Sequence, residues 1–118
     1  MGEISIKRAY EPPSASDGRR VLVDRLWPRG VSKAEARLDD WMKEVAPSDA
    51  LRRWFGHQPE RWVEFRRRYR EELKDNPAVD TLRKFAAEGP LTLVYGARDE
   101  AHNDAVVLAE RLREGDLP

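Results

Sequence analysis

Apolar residues recur along this chain with two periods, and the order of the periods predicts the architecture. Glu3 to Arg8 alternate, with Ile4 and Ile6 on one face, and read as a strand. Glu11 to Gly18 is rich in Pro, Ser and Gly and reads as a loop. Arg20 to Asp24 holds a continuous apolar run suited to a central buried strand, ended by Pro28 and Gly30. Ser32 and Glu35 stand at capping-box spacing and start a short helix. Leu38 to Val45 fits two templates: alternation as a strand, or Leu38, Trp41, Met42 and Val45 on one helical face. An extended segment is the preferred reading.

Helical spacing dominates the next 40 or so residues. Ser48 caps a helix running to about Phe55, and Gly56 ends it. Pro59 suits the first turn of a longer helix reaching about Lys74, whose buried stripe is Trp62, Phe65, Tyr69 and Leu73. Asn76-Pro77 starts another, with Val79, Leu82, Phe85 and Ala86 inward. Gly89-Pro90 turns the chain into a strand, Leu91 to Tyr95. A last helix follows, capped by Asp99 or a neighbour, with Ala105, Leu108, Ala109 and Leu112 on one face. Helices between apolar strands predict a single α/β domain over residues 1–118. Its sheet would be small and mostly parallel, with three or four strands flanked by helices.

Composition narrows the function classes. Of 118 residues, 40% are hydrophobic and 37% charged, and the formal net charge is zero, so no bulk field draws the chain to nucleic acid or membrane. No apolar run approaches the roughly 20 residues of a membrane span. The stretch Met1 to Lys7 lacks the apolar core of a signal peptide, and Glu3 after Gly2 argues against myristoylation. There is no cysteine, which removes disulfides, thiolate catalysis and cysteine-ligated metals within one chain. With His57 and His102 as the only imidazoles and no acidic ladder, no metal site is expected, and no cofactor is indicated. The compartment expected is the cytoplasm.

Two arginine-bearing loops follow the central strands, where ligands of α/β proteins sit. In the first, Asp24 to Gly30, Asp24 is a candidate for proton transfer, Arg25 and Arg29 for gripping an anion, and Trp27 for stacking. In the second, Tyr95 to Asn103, Arg98 adds charge beside helix-opening amides that favour anions. His102 is placed in the first turn, where the dipole opposes its protonation and leaves a neutral base. Tyr95 and Asn103 complete that wall, and His57, beside Trp54 and Phe55, is a further ligand contact. Each has a packing alternative: Asp24 paired with an arginine, Trp27 in the core, Asp99 as a cap, His57 at a helix end. The segment Arg52 to Lys74 carries eight basic and four acidic side chains, a net +4. It fits a phosphate-contacting face, or a face of internal ion pairs such as Glu64–Arg68.

Taken together, Arg20 to Gly30 with its Trp27-Pro28-Arg29-Gly30 element, Ala46-Pro47-Ser48, Leu51 to His57, Arg61-Trp62 to Phe65 with Tyr69, and Leu93 to Leu108 resemble the YeaO-like branch of the domain of unknown function 488 family. The resemblance covers nearly the whole chain. It implies a compact bacterial or archaeal α/β domain and no established activity. Broader relatives carry a Cys-His-Arg cluster near the last strand and helix. Here Tyr95 and Asn103 stand at the matching places, so a thiol or metal role does not carry over, while His102 matches.

The expected function is a site that binds or acts on a small anionic ligand (nucleotide, sugar phosphate or carboxylate) at the C-terminal ends of the strands. Asp24 and His102 would divide acid and base work there. The alternative is a nucleic-acid-binding or partner-binding module without catalysis, including a homodimer.

Overall fold

A four-stranded, wholly parallel sheet organises the chain. The computed structural model describes residues 3–114, so the reading of Met1 and Gly2 lies outside the described residues. The strands are β1 (Ile4–Arg8), β2 (Arg19–Leu22), β3 (Asp40–Trp41) and β4 (Leu91–Tyr95), in the spatial order β1-β4-β2-β3. β4 enters last in sequence yet lies centrally, between β1 and β2. All five of its residues are buried, as expected of a parallel strand covered on both faces.

The helices are α1 (Lys33–Ala36), α2 (Asp49–Phe55), α3 (Trp62–Leu73), α4 (Pro77–Glu88) and α5 (Asp104–Glu114). Val21, Val23, Leu91, Leu93 and Tyr95 turn to one face and meet the apolar stripes of α2 to α5. Phe65, Tyr69 and Leu73 form the buried stripe of α3, while Trp62 is only partly buried against it. Leu22 and Val94 turn to the other face, where Ala9, Trp27 and Leu38 cover them. The four longer helices therefore sit on one face, and loops with the single turn of α1 close the other.

The expected caps are in place. Ser32 accepts from the Glu35 amide at 3.1 Å while the Glu35 carboxylate accepts from the Ser32 amide at 3.0 Å. Ser48 accepts from the Leu51 amide at 3.2 Å, and Asn76 from the Ala78 amide at 2.9 Å. Several boundaries differ from expectation, and β2 spans Arg19–Leu22 rather than Arg20 to Asp24. Residues 38–45 divide into the two-residue β3 and a 3₁₀ turn at Lys43–Val45, because pairing with β2 at Asp40 and Trp41 exhausts the partner edge. Pro59–Arg61 forms a separate 3₁₀ turn ahead of α3. α5 opens at Asp104 with Asn103 as its cap, its side chain accepting from the Val106 amide at 3.1 Å, so His102 precedes the helix. Asp99 instead folds the loop before it, accepting from the Ala101 and His102 amides at 2.9 and 3.0 Å.

Candidate functional site

The C-terminal ends of β2 and β4 are neighbours, and the chain leaves them in different directions. After β2 it turns through Asp24 to Gly30 toward β3; after β4 it runs through Gly96 to Asn103 into α5. The Gly96 amide donates to Asp24 Oδ2 at 2.8 Å, joining the two loops directly. A cavity of about 340 Å³ opens beside this bond. Open α/β sheets bind ligands at such strand ends.

The floor of the cavity is acidic. Asp24 and Asp104 both line it, and their carboxyl groups are hydrogen-bonded to each other. Burial, then the Asp24 charge and that hydrogen bond, hold the Asp104 carboxyl well above the usual carboxylate range. Two carboxyl groups in contact favour protonation of one of them, and the raised Asp104 pKa follows that rule. Asp104 also accepts from the Ala105 amide at 2.9 Å, at the start of α5.

The rim is cationic. Arg25, Arg29, Arg52, Arg53 and His57 line it. Arg25 is partly committed: it donates to the Pro47 carbonyl at 3.3 Å and lies 3.6 Å from Asp49. Arg52 reaches Asp49 at 3.3 Å through one terminal nitrogen, while its Nε is buried without a hydrogen-bond partner. The side chains of Arg29 and Arg53 have no partner among the described residues. His57 is exposed and holds a left-handed backbone at φ 56°, next to Gly56 at φ 51°. Two successive left-handed residues turn the chain sharply at the end of α2 and set the imidazole on the rim. A non-glycine residue in that conformation is uncommon.

Between floor and rim the wall is mostly apolar, formed by Trp27, Pro28, Pro47, Phe55, Phe65 and Ala97. Trp27 is fixed by donating to the Val31 carbonyl at 2.6 Å and by an edge contact with Trp41, whose indole donates to the Asp24 carbonyl at 2.7 Å. Asp24 is thus held through its main chain and its side chain by different neighbours.

Of the residues singled out in the sequence, Asp24, Arg25, Trp27, Arg29, His57 and Asn103 meet at this cavity. Tyr95, Arg98 and His102 are not among its lining residues. Tyr95 is 2% exposed and hydrogen-bonds Asn103. Arg98 is exposed. His102 Nδ1 lies 2.8 Å from Asp99 Oδ2, and its ring packs edge-on against Trp62. Asp24 accordingly has a carboxyl partner rather than an imidazole one. Sequence reading missed Asp104, because an acid at the start of a helix is common as a partner for the dipole. It also assigned Arg52 and Arg53 to a basic surface segment. The signal for them was the Gly56-His57 turn, which folds the end of α2 over the strand ends.

The basic segment itself is laced with acids. Glu64 bridges Arg67 and Arg68, each at 2.7 Å, and these two guanidiniums hold its carboxyl down to about 2. Arg66 pairs with Glu110 at 3.0 Å and Arg70 with Glu114. Arg61 donates to the Trp54 carbonyl, and Arg61 and Arg68 both lie against the Trp54 ring. Among the described residues, no group of three His, Asp or Glu side chains could hold a metal ion, and no helix is long and apolar enough to cross a membrane.

The family model described as "Inactive DUF488-N3 subclade" matches residues 3–116. The chain belongs to that family. It is 44% identical over 111 residues to the uncharacterized protein YeaO of Escherichia coli (strain K12), covering 93% of this chain and 96% of YeaO. It is 47% identical over 109 residues to an uncharacterized protein of Mycobacterium tuberculosis (strain ATCC 25618 / H37Rv), covering 92% of each. An uncharacterized protein of Mycobacterium bovis is similar to the same degree. No solved structure matches the chain. Membership bears out the resemblance to the YeaO-like branch, and the relatives' names assign no activity.

Proposed function

We propose that this protein binds a small anionic molecule in the cavity at the ends of β2 and β4, as a binding module rather than a catalyst. The observation that carries the reading is the convergence of four arginines and His57 on one 340 Å³ cavity, with Arg29 and Arg53 free of side-chain partners among the described residues. Guanidinium groups with unused donors favour carboxylate or phosphate oxygens in bidentate geometry. Four guanidinium groups outnumber the two acids, one of them with a raised pKa, so the cavity favours an anion at the rim.

Two points favour binding over turnover. The imidazole expected to share proton transfer with Asp24 is engaged by Asp99 and Trp62 outside the cavity. The family's own description calls its subclade inactive. The compartment that fits is the cytoplasm, where a chain without cysteine gives up no structural disulfide.

Isothermal titration with inorganic phosphate, ribose 5-phosphate and citrate tests the reading. At least one of them binds the wild-type protein, and the Arg52→Ala/Arg53→Ala double variant weakens that binding tenfold or more. If none binds at millimolar concentration, the proposed site does not exist.

A further inference from the structure

The cavity has one polar end, one charged rim and an apolar wall between them, and that division restricts what fits. A polyol placed against Phe55, Phe65, Trp27 and the two prolines would leave hydroxyls unpaired along most of its length. Each buried unsatisfied group costs about 1–3 kcal/mol. A flat heterocycle has the opposite distribution, with two apolar faces and hydrogen-bonding groups confined to its edge. The lining of small-molecule sites is commonly of this kind, apolar with a few fixed polar groups. At 340 Å³ the cavity lies near the lower end of the roughly 300–1,000 Å³ range of ligand pockets, which suits one ring system rather than a dinucleotide.

The floor also specifies the sign of the edge. Asp24 gives Oδ2 to the Gly96 amide. A carboxylate oxygen accepts and does not donate, so the lone pairs these acids turn to the cavity call for donors. A ring edge of N–H donors satisfies them. An edge with a ring nitrogen acceptor would face another acceptor.

Resting on the anion-binding reading above, we propose that the ligand is a nucleoside monophosphate whose base turns an N–H donor edge to Asp24 and Asp104 and whose phosphate lies at Arg52 and Arg53. Guanine, with adjacent ring and exocyclic N–H groups, has the required edge; adenine presents a ring acceptor beside its amino group. The apolar wall takes the faces of the base, and the Arg53 guanidinium, without a partner among the described residues, supplies donors for the anion.

Competition calorimetry with guanosine 5′-monophosphate, adenosine 5′-monophosphate and ribose 5-phosphate tests this on the wild-type protein. The guanine nucleotide is expected to bind at least tenfold more tightly than either of the others. Asp24→Asn keeps an oxygen for the Gly96 amide but turns an amide donor toward the base, and it abolishes that preference. Equal affinity of ribose 5-phosphate and guanosine 5′-monophosphate overturns the base assignment while leaving anion binding in place. Equal affinity of the two nucleotides overturns the donor-edge assignment. If none of the three binds, the anion reading and this inference fall together. Should Asp24→Asn not fold, the wild-type comparison alone decides.

Discussion

Asp24 leaves the end of β2 and Asp104 opens α5, and the fold brings their carboxyl groups into one hydrogen bond on the floor of a cavity. Eighty residues of sequence separate them, and the Gly96 amide, just past the end of β4, donates to Asp24 beside them. Such a pair is costly to keep fully ionised and cheap to keep singly protonated.

The first prediction concerns pH. Desolvation, followed by the Asp24 charge, raises the Asp104 pKa in the folded state above its unfolded value of 3.8. Its contribution to stability is therefore complete below pH 3.8 and is lost as pH rises toward the folded value. Tyr69 also feels both acids, but burial drives its hydroxyl far above 10 and keeps it neutral throughout. Asp104→Asn removes the loss. Its melting temperature relative to wild type should rise between pH 4 and pH 8, by on the order of 1 kcal/mol or about 4 °C. A wild-type advantage that grows with pH would contradict the raised Asp104 pKa.

Gly96 and Gly18 separate strain from function. A Cβ on Gly96 would stand 3.3 Å from Asp24 Oδ2 and 3.7 Å from Pro28 Cβ, with no left-handed backbone to maintain. Gly96→Ala should therefore displace the acid pair and weaken ligand binding while costing about 1 kcal/mol of stability or less. At Gly18 the backbone has φ +64° and a Cβ would meet the Pro90 carbonyl oxygen at 2.3 Å. Gly18→Ala should cost more than about 2 kcal/mol. Thermal melts of the two variants, with calorimetry on Gly96→Ala, check the contrast.

Much of this fold was legible in local patterns. The alternation at Ile4 and Ile6, the run through Val23 and the run from Leu91 marked three of the strands. Ser32, Ser48 and Asn76 marked helix starts because capping is a short-range bond readable at fixed spacing. The fourth strand was ambiguous because it makes only two residue pairs, and its pattern carries little periodicity. At the site, Asp24 and Arg29 were legible because strand ends point into the crevice. Asp104 was not, since its partner is set by the packing of α5 against β1 and β4, a tertiary event with no local sign. His102 was misplaced because Asp99 spends its carboxylate on a turn rather than a cap, moving the start of α5 to Asp104.

A second acid–base cluster lies under the opposite face of the sheet and should be purely structural. Asp17 is 2.7 Å from Arg20 and 3.2 Å from Lys7, while Arg20 donates twice to the Ala36 carbonyl, at 3.1 and 2.9 Å. Burial alone would raise the Asp17 pKa; the Ser14 amide, Lys7 and Arg20 outweigh it and hold the carboxyl below 3.8. Its stabilisation is present above pH 3.8 and disappears as pH falls, the opposite sense to Asp104. Removing one partner of a buried pair strands the other charge and typically costs about 3–5 kcal/mol. Asp17→Ala should lose that amount in urea unfolding at pH 7 with ligand affinity at the cavity unchanged in the molecules that remain folded.

The last prediction decides between the cavity and the basic segment as the working surface. From Arg61 to Arg70 the guanidiniums are already spent: Arg66 on Glu110, Arg67 and Arg68 on Glu64, Arg70 on Glu114, Arg61 on the Trp54 carbonyl. A phosphate contact there would have to break an existing ion pair for each one it formed, and the net gain from releasing counterions would shrink accordingly. Proteins that neutralise several phosphates show affinity falling steeply with salt, with a logarithmic slope of about −0.9 per contact on duplex DNA. Fluorescence anisotropy with labelled duplex and single strands should find no binding by this protein near physiological salt. At low salt any association should have a slope shallower than about −2, and it should persist in an Arg66→Ala/Arg70→Ala variant. A steep slope abolished by that double substitution would move the functional surface from the strand ends to α3 and restore the nucleic-acid reading of the sequence.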